Sequence, residues 1–224
     1  MRLVIDLQGA QGASRHRGIG RLSRELAMAM ARDSRNHEPI ILLNEAIEGE
    51  TSRLFELFSG LLPRENICSW RGLPHCSELS GNPARRRASE MLRAQVLTEL
   101  RPDLVHVSSV MEGVSDDAVT AWPSCLDRLP LVATFYDAIP LIRRGDYLNG
   151  EWRGIAPWFY RHTEELRLCE GLLAISESAR SEAIEWVGCE PDRVFNMRAG
   201  FDKSMLQPCI TTERDRNSGV KGKR

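Results

Sequence analysis

Residues 2–25, RLVIDLQGAQGASRHRGIGRLSRE, pass from an apolar run into a glycine-dotted loop and then into a helical pattern. Arg2–Leu7 reads as a buried strand, because four of its six residues are apolar and two of them stand at its centre. From Ile19 onward, Leu22, Leu26, Ala27 and Met30 recur at three- and four-residue steps, the stripe of a helix lying on a sheet. Between strand and helix, Gly9, Gly12, Gly18 and Gly20 permit close backbone approach, while Arg15, His16, Arg17 and Arg21 put positive charge beside the helix start. Such a place suits a phosphate; a simple tight turn between strand and helix would use the same glycines. The loop is not a P-loop, which needs Lys-Ser or Lys-Thr after a glycine. Nor is it the dinucleotide fingerprint, because Gly18-Ile19-Gly20 lacks a third glycine and lies well beyond the strand end.

Downstream, the same alternation repeats. Glu38–Asn44, Asn66–Trp70, Asp103–Ser109, Leu129–Tyr136, Gly171–Ile175 and Arg193–Met197 read as further strands. Helical spacing is present in Thr51–Leu62, in Ala84–Leu100 (with Ala88, Met91, Leu92, Val96 and Leu100 on one side), in Trp152–Cys169, and from Ser176 or Ser178 to Val187. The pattern predicts an α/β fold, a single Rossmann-like domain on a mostly parallel sheet of six or seven strands. In such sheets the ligand crevice lies outside the carboxyl ends of the strands, which puts Ser108, Ser109, Glu112, Tyr136 and Asp137 where chemistry could occur. Asp116-Asp117 suits a metal pair or, better, a helix start. Ser176 or Ser178 suits a helix cap. Arg85-Arg86-Arg87 at the start of its helix is either a basic surface for an anionic membrane or an ordinary solvated face.

The 224 residues can bury a sizeable core, and 42% apolar with 27% charged residues is the composition of a soluble globular protein. A formal charge of -1 argues against a nucleic-acid partner, whose phosphates would call for a basic excess. No apolar run approaches a membrane span, and Asp6 and Gln8 interrupt any signal-peptide-like segment, so a cytoplasmic location is expected. The six cysteines show no zinc spacing; Cys68, His75 and Cys76 are their only local cluster, and packed thiols are expected. Residues 211–224 are dominated by charged and small residues, which predicts a linker or disordered tail.

The segments IDLQGAQ (5–11), RGIGRLSREL (17–26), PDLVHVSS (102–109) with EG (112–113), TFYDAIPLI (134–142), LLAISESAR (172–180) and AGFD (199–202), in this order, resemble the glycosyltransferases of family 4. These have the GT-B fold and retain the anomeric configuration, and the likeness is greatest to bacterial polysaccharide mannosyltransferases. The resemblance covers roughly residues 1–208 and implies the N-terminal, acceptor-side domain, with 209–224 as linker or tail and the donor-binding domain absent. It implies a hexosyltransferase that needs no cofactor and no metal, takes a nucleotide sugar as donor substrate, and extends a surface polysaccharide or lipid-linked glycan.

The resemblance also assigns candidate roles. Gly18, Ile19 and Gly20, with Arg17 and Arg21, would face the donor diphosphate, where negative charge grows as the glycosyl bond breaks. Tyr136 and Asp137 stand where many members have His-Asp near the reacting sugars, and the tyrosine is a departure. Ser108, Ser109, Glu112, Ser176 and Arg180 are candidate substrate contacts. Ala199 replaces a frequent asparagine. By the same resemblance the protein would sit at the inner face of the membrane, through Arg85, Arg86 and Arg87, and the chain alone would be inactive. A non-catalytic interaction module or a nucleotide-sugar epimerase fragment on this fold are the alternatives.

Overall fold

The computed structural model describes residues 1–47 and 49–200. The opening stretch forms strand β1 (Arg2–Asp6) and helix α1 (Gly18–Arg32). Strands β2 (Glu38–Asn44), β3 (Ile67–Trp70), β4 (Leu104–Val107), β5 (Leu131–Phe135), β6 (Gly171–Ala174) and β7 (Val194–Asn196) follow, and helices α2 (Thr51–Ser59), α3 (Pro83–Glu99), α4 (Ile139–Ile142), α5 (Ala156–Arg167) and α6 (Glu177–Glu182) lie in the connections. The strands form one seven-stranded sheet in the order β3-β2-β1-β4-β5-β6-β7, every pair parallel. This is the Rossmann-like α/β architecture. Phe201 and Asp202 of the AGFD segment and the expected linker 209–224 lie outside the described residues.

Side chains alternate across the sheet as the two-residue period requires. Val4, Ile40, Leu42, Val105 and Val107 join one core with Ala94 and Leu97 of α3 and Trp158, Phe159 and Leu166 of α5. Ile5, Leu7, Ile41, Leu43 and Ile67 join the other with Ala27, Met28 and Ala31 of α1 and Leu54 and Phe58 of α2. Burial on both faces is why the strands read as unbroken apolar runs.

Two helices turn a different face inward from the one their apolar spacing predicts. In α1 the buried positions are Gly20, Ser23, Ala27, Met28 and Ala31, so mostly small residues lie against the sheet; Leu22, Leu26 and Met30 are half-buried on its flank. In α3 the buried residues are Ser89, Glu90, Arg93, Ala94 and Leu97, whereas Met91 and Leu92 of the expected stripe are 40% and 43% exposed. In α3 the cause is pairing. Glu90 receives Arg161 at 2.6 Å, and Arg93 Nε meets Asp6 Oδ2 at 2.6 Å with both side chains fully buried. A buried carboxylate that has no cation nearby is costly enough to override the apolar periodicity of one helix.

The long helix expected over Trp152–Cys169 is also shorter than its spacing suggests. A π-type turn (Tyr147–Glu151) and a 3-10 turn (Arg153–Ile155) precede α5, which begins at Ala156 with Pro157 in its first turn. Proline is suited to that position because its missing N–H would have had no helical partner.

The Arg85–Arg87 cluster is partly consumed internally. Arg86 is paired with Glu78 and donates to the carbonyls of Cys76 and Ser77, and Arg85 donates to the Pro74 carbonyl.

Two substitutions test these constraints. Arg93→Ala leaves Asp6 buried without its cation and should lower stability by about 3–5 kcal/mol, read as a drop in the urea midpoint. Gly113 has φ +93, and a Cβ there would lie 2.1 Å from the Ala118 carbonyl oxygen. Gly113→Ala should therefore cost at least about 1–3 kcal/mol in the same assay, and an unchanged midpoint would contradict the geometry.

Candidate functional site

The sheet order reverses between β1 and β4: β1 leads outward to β2 and β3, and β4 leads to β5, β6 and β7. Loops leaving adjacent strands in opposite directions open a crevice at their carboxyl ends. A cavity of about 410 Å³ lies there, walled by Ala13, Ser14 and Arg17 from the β1–α1 loop, Ile19 from the first turn of α1, Ser109–Asp116 from after β4, Tyr136, Asp137 and Pro140 from after β5, and Trp152, Ile155, Trp158 and Phe159 ahead of and within α5.

Buried polar groups hold these loops in place. Gln8 Nε2 donates to both Asp6 oxygens at 3.1 Å and to the Val119 carbonyl at 2.8 Å; its Oε1 accepts from Val119 N at 3.0 Å and from Asn44 Nδ2 at 3.1 Å. Gln11 binds the Asn44 backbone from both sides, accepting at 2.9 Å and donating at 3.1 Å. Asp116 accepts from the backbone N–H groups of Ala13 and Ala118, while Asp117 accepts from those of His75, Cys76 and Ser77. The two aspartates are thus loop staples rather than a metal pair or a helix start. Among the described residues, no group of three or more His, Cys, Asp or Glu side chains is placed to hold a metal.

The glycines divide their tasks. Gly20 N–H donates to the Ser14 carbonyl at 3.1 Å, and a Cβ on Gly20 would lie 2.4 Å from Arg15 Cα. Gly20 therefore closes the turn, and its N–H is not available to a ligand. Gly18 and Ile19 open α1 beside Arg17, which lines the cavity; Arg21 is exposed and outside the lining.

Inside the cavity, Glu112 is 4% exposed, and its Oε1 accepts from Ser109 Oγ at 2.8 Å. Burial pushes its carboxyl up from 4.5 to about 7; the charge of Asp116 adds to this, and Ser109, Ser14 and Arg17 oppose it. The Tyr136 hydroxyl donates to the Ser108 carbonyl at 3.1 Å and lies 3.1 Å from Ser23 Oγ. Burial, with the nearby Glu112 charge, raises it to about 12, so it stays a phenol at any working pH. Asp137 is exposed at the rim, its Oδ1 accepting from Ile139 N–H at 3.1 Å.

The structure thus brings Arg17, Ile19, Ser109, Glu112, Tyr136 and Asp137 to one cavity. The other candidates serve the fold around it. Ser108 Oγ accepts from Gly9 N–H at 3.2 Å. Ser176 caps α6 by accepting from Ala179 N–H at 3.1 Å. Arg180 donates to the carbonyls of Val194 and Pro191, away from the cavity. Ser14 and Trp152 line the site without having been singled out for it; Trp152 carried only a helical-packing signal. A second hollow of about 410 Å³ between α1 and α2 holds Arg15, Arg24 and Arg53, but their charges are met by Glu50 at 3.9 Å, Glu25 at 2.9 Å and Glu50 at 3.8 Å. Equal volume leaves the choice to chemistry, and the buried titratable carboxyl lies in the first.

Known proteins are similar to this chain. The family model "Glycosyltransferase Family 4" matches residues 16–203. A protein of Escherichia coli named serotype-specific mannosyltransferase WbdA is 28% identical over 218 residues, which is 96% of this chain and 26% of that protein. A further match of the same name and organism is 30% identical over 135 residues, 59% of this chain and 16% of that protein. This chain therefore spans about a quarter of the length of the first relative. A solved glycosyltransferase from Rickettsia africae ESF-5 overlays with a TM-score of 0.45 at 15% identity, covering 96% of this chain and 47% of that one. With a family model matched across most of its length, the chain belongs to Glycosyltransferase Family 4.

Proposed function

We propose that this chain is the acceptor-side part of a retaining glycosyltransferase that moves a sugar, with mannose the candidate, from a nucleotide-sugar donor onto a growing surface polysaccharide or lipid-linked glycan. The observation that carries this is the cavity at the β1/β4 switch point, where one cationic side chain, one buried carboxyl and an aromatic wall meet. Arg17 beside the first turn of α1 offers positive charge to a leaving diphosphate, which gains charge as the glycosyl bond breaks. The walls of Trp152 and Tyr136 suit the apolar face of a pyranose. Mannose rests on the name of the Escherichia coli relative.

The donor nucleotide would be held mainly by a second domain facing this one across a cleft, as the family resemblance implies. No helix among the described residues is long and apolar enough to cross a membrane. A peripheral contact with an anionic membrane would use Arg85 and Arg87, since Arg86 is bound to Glu78.

Two measurements bear on this reading. The purified 224-residue chain, offered nucleotide-activated mannose and an oligosaccharide acceptor, should give no multiple-turnover transfer and only weak donor binding by calorimetry; sustained turnover or tight donor binding would contradict the division between domains. In vesicle sedimentation the chain should pellet with anionic but not neutral vesicles, and Arg85→Glu with Arg87→Glu should abolish this. Absence of pelleting by the unmodified chain would remove the membrane contact.

A further inference from the structure

Three carboxyl groups line the main cavity, and they differ in what is left for a ligand to use. Asp116 is spent on the N–H groups of Ala13 and Ala118, and Asp137 lies exposed at the rim with one oxygen on Ile139 N–H. Glu112 alone of the three is buried, and its Oε1 accepts from Ser109 Oγ at 2.8 Å. The segment carrying it is fixed at both ends: Gly113, at φ +93, lies so close to the Ala118 carbonyl that a Cβ would strike it, and Ser108, which follows directly on β4, is held to Gly9 N–H through its Oγ. The same cavity holds Trp152, whose ring meets Tyr147 edge-on at 5.0 Å. A rigid carboxyl beside an aromatic wall is a chemical match for a sugar ring, which presents hydroxyl donors at its edge and C–H groups on its face.

Resting on the glycosyltransferase reading above, we propose that Glu112 is the positioning residue for the acceptor: its carboxylate accepts hydrogen bonds from hydroxyl groups of a pyranose seated in the cavity with Trp152, and binding expels a proton to solvent. The physical cause is linkage. In the empty cavity, burial favours the neutral acid, with its pKa near 7. A hydroxyl that donates to the carboxylate stabilises the charged form and lowers that value. The groups that act on Glu112 are Ser14 and Arg17 from the β1–α1 loop, Ser109 and Asp116 from its own loop, and Tyr136 from beyond β5; Asp137, Trp158 and Phe159 line the same cavity. Tyr136, raised to about 12, does not titrate in the same range. Glu112 therefore sets the pH dependence of acceptor binding near neutrality.

The test is calorimetric titration of the chain with methyl α-mannoside and an α-linked mannobiose, with glucose and galactose counterparts, at pH 6 and pH 8 in buffers of different ionisation heat. Affinity should be roughly tenfold weaker at pH 6 than at pH 8, with about one proton released per sugar bound at the lower pH. Glu112→Gln should weaken binding and flatten the pH profile, and Glu112→Asp should restore part of both. If Glu112→Gln fails to fold, the pH profile and proton release of the unmodified chain still decide the matter. Saccharide binding with the same affinity and no proton release at both pH values would overturn the role of Glu112 while leaving the glycosyltransferase reading intact. Absence of binding by every saccharide at both pH values would overturn both.

Discussion

Asp6 ends β1 on the side of the sheet that faces α3, in a place without solvent, and the chain has to answer that charge. Arg93 does so from α3, with Nε 2.6 Å from the carboxylate. Gln8 brings its amide N–H groups to the same two oxygens. From this point the constraint spreads outward: Gln8 ties down Val119 and Asn44, Asn44 holds Gly72 N–H at 3.3 Å, and Gln11 holds Asn44 in turn. Loops after β1, β2, β3 and β4 are thus fixed to one another by buried polar groups rather than by apolar packing. Each bond is worth about 1 kcal/mol net, but leaving one of these groups unpaired costs more than the bond gains. Arg93 Nη1 and Nη2 have no hydrogen-bond partner among the described residues, so the pair carries a desolvation cost that the contact between them and the Gln8 bonds to Asp6 offset.

That network explains what the sequence revealed and what it hid. Strand positions were legible because burial on both faces writes a continuous apolar run, and β2 coincides with Glu38–Asn44 as its bounding residues suggested. The inward faces of α1 and α3 were not legible. In α1 mostly small residues lie against the sheet, and in α3 the inward residues include Glu90 and Arg93, whose partners Arg161 and Asp6 lie far away in sequence. The same holds for Trp152. Its helical spacing is genuine, but a π-type turn kinked at Gly150 and a 3-10 turn over Arg153–Ile155 flank it, and α5 begins only at Ala156.

The polar letters of the motif at 5–11 illustrate the limit most clearly. Gln8 and Gln11 stand beside a glycine loop, and both are consumed by the fold. What remains for chemistry is the smaller set that those residues position: Arg17, Glu112, Tyr136 and the first turn of α1. Glu112 could be placed near a strand end from sequence, but the property that distinguishes it, burial beside Ser109 and opposite Arg17, exists only once three loops have met.

If these loops form one receptor for a sugar at the β1/β4 switch point, backbone amide chemical shifts recorded during saccharide titration of the chain will change mainly at Arg17, Glu112, Gly113, Tyr136 and Trp152. Changes centred instead on Arg24, Arg53 and Glu56, in the hollow between α1 and α2, would place the sugar elsewhere and rule that receptor out.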